Sequence, residues 1–418
     1  MTPDATTPAP PSDDLAAQLT ELSPLDPDKP TFLVAASSPS PYRLSQHLRY
    51  ARELTEVNLV SLFIDHQNWQ PWSTDLPPEI RPLVVSRGTG QNQGGPLANL
   101  AKGTRVLEVV DRLAPVAVLL TGYNSLGKLR ILDGLRTRRI PCMLFADSNI
   151  VADNATGPKL ALKKLLVRWV INRTGALLPC GTQGRRFFER YGGRADNMFF
   201  VPHGPNFDEL ATITDADVSA ALAKHTIPEG RQRVIYCARM VEVKRPDLLV
   251  DAFIAIADER PDLDLVMVGD GPLREGLEHR LPAPISPRVH FTGFVNDARE
   301  IYALYRAADL FVLPSKWEPW GAVVPEAVGC GCAIIASDAV GAAPDLVEDD
   351  VNGYQFRSQD LRDLTDTLRK ATEPDALTRL RAGTKTVLER YRTTHDSVIN
   401  IRRALHHVGA ITPSEPTP

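Results

Sequence analysis

The sequence predicts an α/β protein built from two similar units, each a parallel sheet with helices on both faces. Three observations lead there. Short apolar runs recur from Thr31 onward, mostly separated by longer stretches of helical pattern, and strand–helix alternation implies parallel pairing. The alternation breaks between Asn206 and Gly230 and then starts again. At 418 residues the chain is long enough for two cores.

Taken in order, residues 1–30 are polar, proline-dense and aperiodic, so a disordered tail is expected there. They lack a basic n-region and an apolar h-region, so no signal peptide is expected. The first unit, residues 31–205, has expected strands at Phe32–Ala36, Asn58–Phe63, Val116–Thr121, Pro141–Ala146, Ala176–Pro179 and Met198–Val201. A loop region from Asp75 to Gly95 encloses a weaker strand around Leu83-Val84-Val85. Residues 206–230 read as helix and linker, with Pro228-Glu-Gly230 before the next strand. The second unit, residues 231–358, has expected strands at Arg233–Cys237, Asp264–Val268, Val289–Thr292, Leu310–Leu313 and Ala333–Ala336. Residues 359–410 are helical by pattern, and 411–418 form a loose proline-rich tail.

No apolar run reaches the length of a membrane span. Five cysteines, an odd number in mostly strand-like contexts, fit reduced thiols in a cytoplasm better than a disulfide framework. Cys330-Gly-Cys332 lacks metal-ligand spacing and reads as packing at a helix end; no metal site is expected. Residues 31–205 carry 22 Lys/Arg against 12 Asp/Glu, whereas 206–418 carry 24 against 33. That asymmetry suggests an anionic partner for the first half. Lys159 to Arg173 places Leu162, Leu165, Leu166, Trp169 and Val170 on one helix face, with Lys159, Lys163, Lys164 and Arg168 largely elsewhere. Taken alone, this is a domain helix with solvated lysines. With Arg136, Arg138, Arg139, Arg185, Arg186 and Arg190 it makes a basic surface able to meet an anionic membrane or an anionic acceptor. No array of base-stacking aromatics accompanies it, so nucleic acid is not expected.

Ligands of open parallel sheets bind beyond the carboxyl ends of the strands. In the second unit those positions hold Arg239 and Lys244, Gly269-Asp-Gly271, Gly293-Phe294, and Ser315 to Glu318. Arginine grips phosphate oxygens in pairs and lysine supplies a mobile charge. In Pro314-Ser-Lys-Trp-Glu-Pro-Trp-Gly-Ala-Val-Val-Pro-Glu326, Glu318 and Glu326 bracket the start of a helix near Gly321, where free N–H groups favour anions. This suits a negatively charged leaving group attached to something rich in hydroxyls. Both glutamates belong to one wall, which argues against a hydrolase with carboxylates on opposite sugar faces. Asp262-Leu-Asp264 precedes its strand and lies at the wrong end of the sheet. The G-x-G-x-x-G and Walker patterns are missing, which argues against nicotinamide chemistry and P-loop hydrolysis.

These motifs resemble glycosyltransferase family 4. Ala238-Arg-Met-Val-Glu-Val-Lys244, Val268-Gly-Asp-Gly-Pro272, Thr292-Gly-Phe-Val295, Ser315 to Glu326, Ala336 to Asp345 and Asn352-Gly-Tyr354 occur in the family's order between residues 233 and 356. The resemblance implies the GT-B architecture, two Rossmann-like domains facing each other across a cleft. It also implies a retaining, metal-independent transfer, with a hexosyl group the expected cargo, from a nucleotide-diphosphate sugar to a glycan, lipid-linked or other hydroxyl acceptor. No cofactor beyond that donor substrate is implied. By position, Arg239 and Lys244 bind the diphosphate, Glu326 holds the ribose hydroxyls and Glu318 faces the sugar. Backbone N–H groups of Trp320, Gly321, Ala322 and Val323 meet sugar and phosphate, and Phe294 and Val295 border the base. Gly269 and Gly271 let backbone approach the donor.

The first unit departs from the family pattern. Ser37-Ser38 stand where a glycine-rich loop is common, and Phe145-Ala-Asp-Ser-Asn149 where a histidine often lies. Ser37, Ser38, Asp147 and Asn149 are the acceptor-side candidates, Asp147 and Asn149 alternatively capping the next helix. An epimerase, a phosphorylase or a non-catalytic scaffold of the same fold are the competing readings.

Overall fold

The computed structural model describes residues 15–67, 76–89 and 95–412. Residues 1–14 of the expected tail, parts of the 75–95 loop region and the tail beyond Thr412 lie outside the described residues.

The first sheet comprises β1 (Thr31–Ala36), β2 (Asn58–Gln67), β3 (Pro82–Thr89), β4 (Ala117–Thr121), β5 (Cys142–Ala146) and β6 (Ala176–Pro179), in the order β3-β2-β1-β4-β5-β6. Its helices are α1 (Leu15–Thr20), α2 (Pro41–Glu53), α3 (Gly95–Leu113), α4 (Leu126–Thr137), α5 (Gly157–Ile171) and α6 (Thr182–Arg190). The connection holds α7 (Phe207–Ala211) and α8 (Asp215–Lys224). The second sheet comprises β7 (Gln232–Cys237), β8 (Leu263–Val268), β9 (Val289–Gly293), β10 (Leu310–Leu313), β11 (Ala333–Ser337) and β12 (Gly353–Phe356), in the order β12-β11-β10-β7-β8-β9. With it come α9 (Pro246–Ile256), α10 (Arg274–His279), α11 (Ala298–Ala307), α12 (Val323–Gly329), α13 (Ala343–Leu346) and the closing helices α14 (Leu361–Ala371), α15 (Pro374–His395) and α16 (Ser397–His407).

Every named strand pair is parallel; Phe32 sits opposite Leu59 and Ala117, and Leu310 opposite Ala333 and Val234. Helices on both faces bury β1, β4, β5, β10 and β11 along their whole length, which is why these strands read as nearly continuous apolar runs. Both strand orders reverse beside their first strand, between β1 and β4 and between β7 and β10, and crevices open at such reversals.

Three expectations change. Residues 15–30 are ordered: α1 docks on β3, and the Gln18 amide both donates to the Val84 carbonyl and accepts from its N–H. One polar side chain thereby imitates a neighbouring strand, a pairing that composition does not announce. Met198–Val201 is not a strand but an isolated bridge, Leu177 to Met198; the chain leaves the sheet at Pro202 and crosses to the second domain. Gly353–Phe356 is a strand the sequence pattern hides, because it is four residues long and opens on glycine. A Cβ at Gly353 would lie 1.8 Å from the Ile334 carbonyl oxygen, so only glycine lets β12 lie against β11.

The last described helix returns to the first domain. Arg49 on α2 pairs with Asp396 ahead of α16 at 2.8 Å, and Arg402 on α16 pairs with Glu56 at 2.5 Å. Among the described residues no helix is long and apolar enough to cross a membrane.

Candidate active site

The site lies where the second sheet reverses. After β10 the chain forms a loop whose shape is set by its own hydrogen bonds. The Glu318 N–H donates to the Ala339 carbonyl at 3.0 Å, its carbonyl accepts from Gly341, and Ser337 Oγ donates to the Ser315 carbonyl at 2.6 Å. The Glu318 side chain is consequently buried, 8% exposed, with Oε1 accepting from Ser315 Oγ at 3.0 Å. The loop after β7 brings Lys244 across the reversal, and its Nζ forms an ion pair with the same Oε1. Two residues 74 apart in sequence, chosen for diphosphate and sugar respectively, are in direct contact.

Gly321 has φ +91°, a left-handed conformation that glycine takes without strain, and it turns the loop into α12. Glu326 lies inside that helix and is buried. Its Oε1 accepts from the hydroxyl of Tyr42, on α2 of the other domain, at 2.8 Å. Burial holds the Glu326 carboxyl proton on, raising its pKa to about 7, although the hydrogen bond from Tyr42 pulls it down.

Gly269 and Gly271 have a different local use. A Cβ on either would meet backbone after β7, 2.2 Å from the Ala238 carbonyl oxygen and 2.5 Å from that of Met240. The glycine turn therefore seats the loop carrying Arg239, which is exposed. Phe294 follows β9, two strands from β7, and is 56% exposed, while Val295 is buried.

On the first domain, Ser37 and Ser38 are buried at the end of β1. Thr121 Oγ1 accepts from the Ser37 N–H at 2.9 Å, and Ser37 Oγ accepts from Lys128 Nζ at 2.8 Å. Arg43 donates to the Ser38 carbonyl at 2.8 Å. Burial, then the nearby Arg43 charge, brings the Lys128 ammonium down to about 8. Asp147 is exposed and its charge partly offsets both cations.

Asn149 does not cap the helix that follows. Its Nδ2 donates to the carbonyls of Glu318 at 2.7 Å and Pro319 at 3.0 Å, tying β5's loop to the site loop, whereas Thr156 occupies the N-cap of α5. Trp320 makes a second tie, its Nε1 donating to the His203 carbonyl at 2.7 Å. Thr182 makes a third, donating to Asp345 through its N–H and hydroxyl.

Sequence reasoning missed Tyr42, Arg43 and Lys128. The usable signal was their place in the first turns of the helices that follow β1 and β4, beyond the carboxyl ends of the strands. Among the described residues no group of three or more His, Cys, Asp or Glu is placed to hold a metal ion.

Residues 217–385 match the family model described as glycosyl transferases group 1. A D-inositol 3-phosphate glycosyltransferase of Saccharomonospora viridis is 30% identical over 227 residues, 51% of each chain. A GDP-mannose-dependent alpha-(1-6)-phosphatidylinositol dimannoside mannosyltransferase of Mycobacterium tuberculosis is 31% identical over 156 residues, 37% of this chain and 38% of that one. The chain thus spans about half, or less, of the length of these curated relatives. The crystal structure of Anabaena HepE in complex with UDP-glucose superposes with a TM-score of 0.66 at 19% identity, covering 91% of this chain and all of that one. The fold is GT-B.

Proposed function

We propose that this chain is a retaining glycosyltransferase of family 4 that moves a hexosyl group from a nucleoside-diphosphate sugar to a hydroxyl acceptor on a glycan or lipid-linked molecule. The observation that carries the reading is the Lys244–Glu318 pair at the reversal of the second sheet, one helix turn and a loop from buried Glu326, beneath Tyr42 of the opposing domain. The matched group-1 region covers all of these residues except Tyr42, and the donor named for the mycobacterial relative is GDP-mannose.

In this mechanism Arg239 and Lys244 stabilise the charge growing on the diphosphate, and the N–H groups of Trp320 to Val323 add a fixed positive field. Lysine has three donors, so its ammonium can serve a phosphate oxygen while Glu318 orients sugar hydroxyls. The bond from the anomeric carbon to phosphate breaks, and the acceptor oxygen bonds the same face. The acceptor's proton passes to the leaving phosphate oxygen. These charges supply what a metal ion would, so transfer is expected to persist in chelator. The five free thiols, four of them buried, support a reducing, cytoplasmic setting.

A thermal-shift panel of UDP-, GDP- and ADP-sugars tests donor binding, since a ligand of the folded state raises its stability. Product anomers read by NMR then test retention. No shift with any nucleotide sugar would reject the donor assignment. Arg239→Ala should weaken nucleoside diphosphate binding by about 1.5–3 kcal/mol, the worth of a charge-assisted contact; unchanged affinity by calorimetry removes Arg239 from the diphosphate site.

Glu326 adds a pH signature. The ribose hydroxyls, displacing the Tyr42 hydroxyl, donate best to the ionised carboxylate. Its folded pKa of about 7 exceeds the usual carboxyl value, so the proton stays on below neutrality and is lost as pH rises. Nucleotide affinity should therefore strengthen through pH 7, and Glu326→Gln should flatten that part of the profile. Parallel profiles for the two proteins would exclude the ribose role.

A further inference from the structure

The apolar face of α5 is turned outward. Its spacing suits core positions, yet Leu162 and Leu165 are each 70% exposed and Leu166 42%. Val167, Val170 and Ile171 form the buried side of the helix instead. Leu126, in the first turn of α4, is 47% exposed, and Leu97, one turn before Leu100 on α3, is 81% exposed. An open groove of about 1070 Å³ runs between these helices, lined by Leu100, Leu126, Leu129, Leu162, Leu165 and Trp169 among others. Single exposed leucines are ordinary on a soluble surface; a contiguous cluster marks an interface.

The surrounding charge indicates what covers it. Ions inside the groove largely pair off, Arg138 with Asp111 and Arg173 with Asp133. Lys163 is also committed, to Asp153 at 2.8 Å and to the face of Phe187. Exposed Lys159, Lys164 and Arg168 remain on α5, which contains no acidic residue. We propose that this face docks on an anionic lipid bilayer, with the leucines at the acyl boundary and these three cations among the headgroup phosphates. A second copy of the chain fits less well, because a two-fold interface would set the patch against itself and bring like charges together. Leu126 and Lys128 share the first turn of α4, and Lys128 reaches Ser37 at the carboxyl end of β1, so the docked face adjoins the proposed acceptor side. Only this last link, which would present a lipid-linked acceptor to the cleft, rests on the sugar-transfer reading.

Co-sedimentation of the full chain with phosphatidylglycerol/phosphatidylcholine vesicles, against phosphatidylcholine alone, tests the docking. Binding should require the anionic lipid and fall as salt rises. Leu162→Ser/Leu165→Ser should lower partitioning about tenfold or more, and Lys159→Glu/Lys164→Glu/Arg168→Glu should remove the preference for anionic lipid. All five positions are exposed, and an unchanged melting temperature checks that each variant folds. No sedimentation with anionic vesicles at low salt overturns the proposal, as does full retention of binding by the leucine variant. A concentration-dependent dimer that the leucine variant dissolves, without lipid binding, assigns the face to a second copy and also overturns it. Lipid binding without any nucleotide-induced thermal shift would support docking while rejecting the transfer reading.

Discussion

Lys244→Ala is expected to lower turnover by about 10²–10³-fold, the usual loss when one preorganised charge at a reaction centre is removed. The ammonium reaches a carboxylate whose side chain is 8% exposed. In the proposed mechanism its removal takes positive charge from the leaving group, and it leaves Glu318 buried with Ser315 Oγ still donating to it. Truncating one member of a buried pair costs up to roughly 3–5 kcal/mol, and less here because Lys244 is 21% exposed, so melting temperature must be measured beside activity. Glu318→Gln separates the two contributions, because the amide keeps the shape and drops the charge. It should reduce turnover more than it reduces nucleoside diphosphate affinity, since Glu318 is assigned to the sugar. A double-mutant cycle should show the losses to be strongly non-additive. Wild-type rates in folded Lys244→Ala and Glu318→Gln would remove this pair from the mechanism.

Gly341→Ala is expected to displace the site loop and damage the protein strongly. A Cβ there would lie 2.1 Å from the Pro319 carbonyl oxygen and 3.0 Å from the Trp320 Cα, both backbone atoms that no rotamer change can clear. The site loop must then shift outward. That movement strains the Glu318 carbonyl's bond from the Gly341 N–H, the Asn149 tie and the Trp320 tie to His203 together. Overpacking of this kind costs roughly 3 kcal/mol, and denaturant unfolding should read it. Activity should fall further than the folded fraction explains, because Glu318 moves with the loop. Gly230→Ala is the comparison: no atom lies within 4 Å of its Cβ, so it should incur only the cost of its φ of +74°. Equal midpoints for Gly341→Ala and the parent would show that the loop tolerates displacement.

Much of this architecture was legible before folding was considered. Strands buried on both faces are mostly apolar, so β1, β4, β5, β7, β8, β10 and β11 announce themselves as runs. Parallel pairing places ligand groups at their carboxyl ends, which marks Lys244 and Glu318, while the helix start near Gly321 marks Glu326. Residue pattern could not say which of these groups touch. Tyr42 meets Glu326 across 284 residues, and Asn149 is used on the Glu318 and Pro319 carbonyls only because two domains close over the loop. Nor could spacing reveal that Leu162 and Leu165 stand outside the core. Helical periodicity states which face is apolar, a property of the local chain. Whether anything covers that face depends on how the neighbouring helices pack, and here α3 and α4 stop short of it.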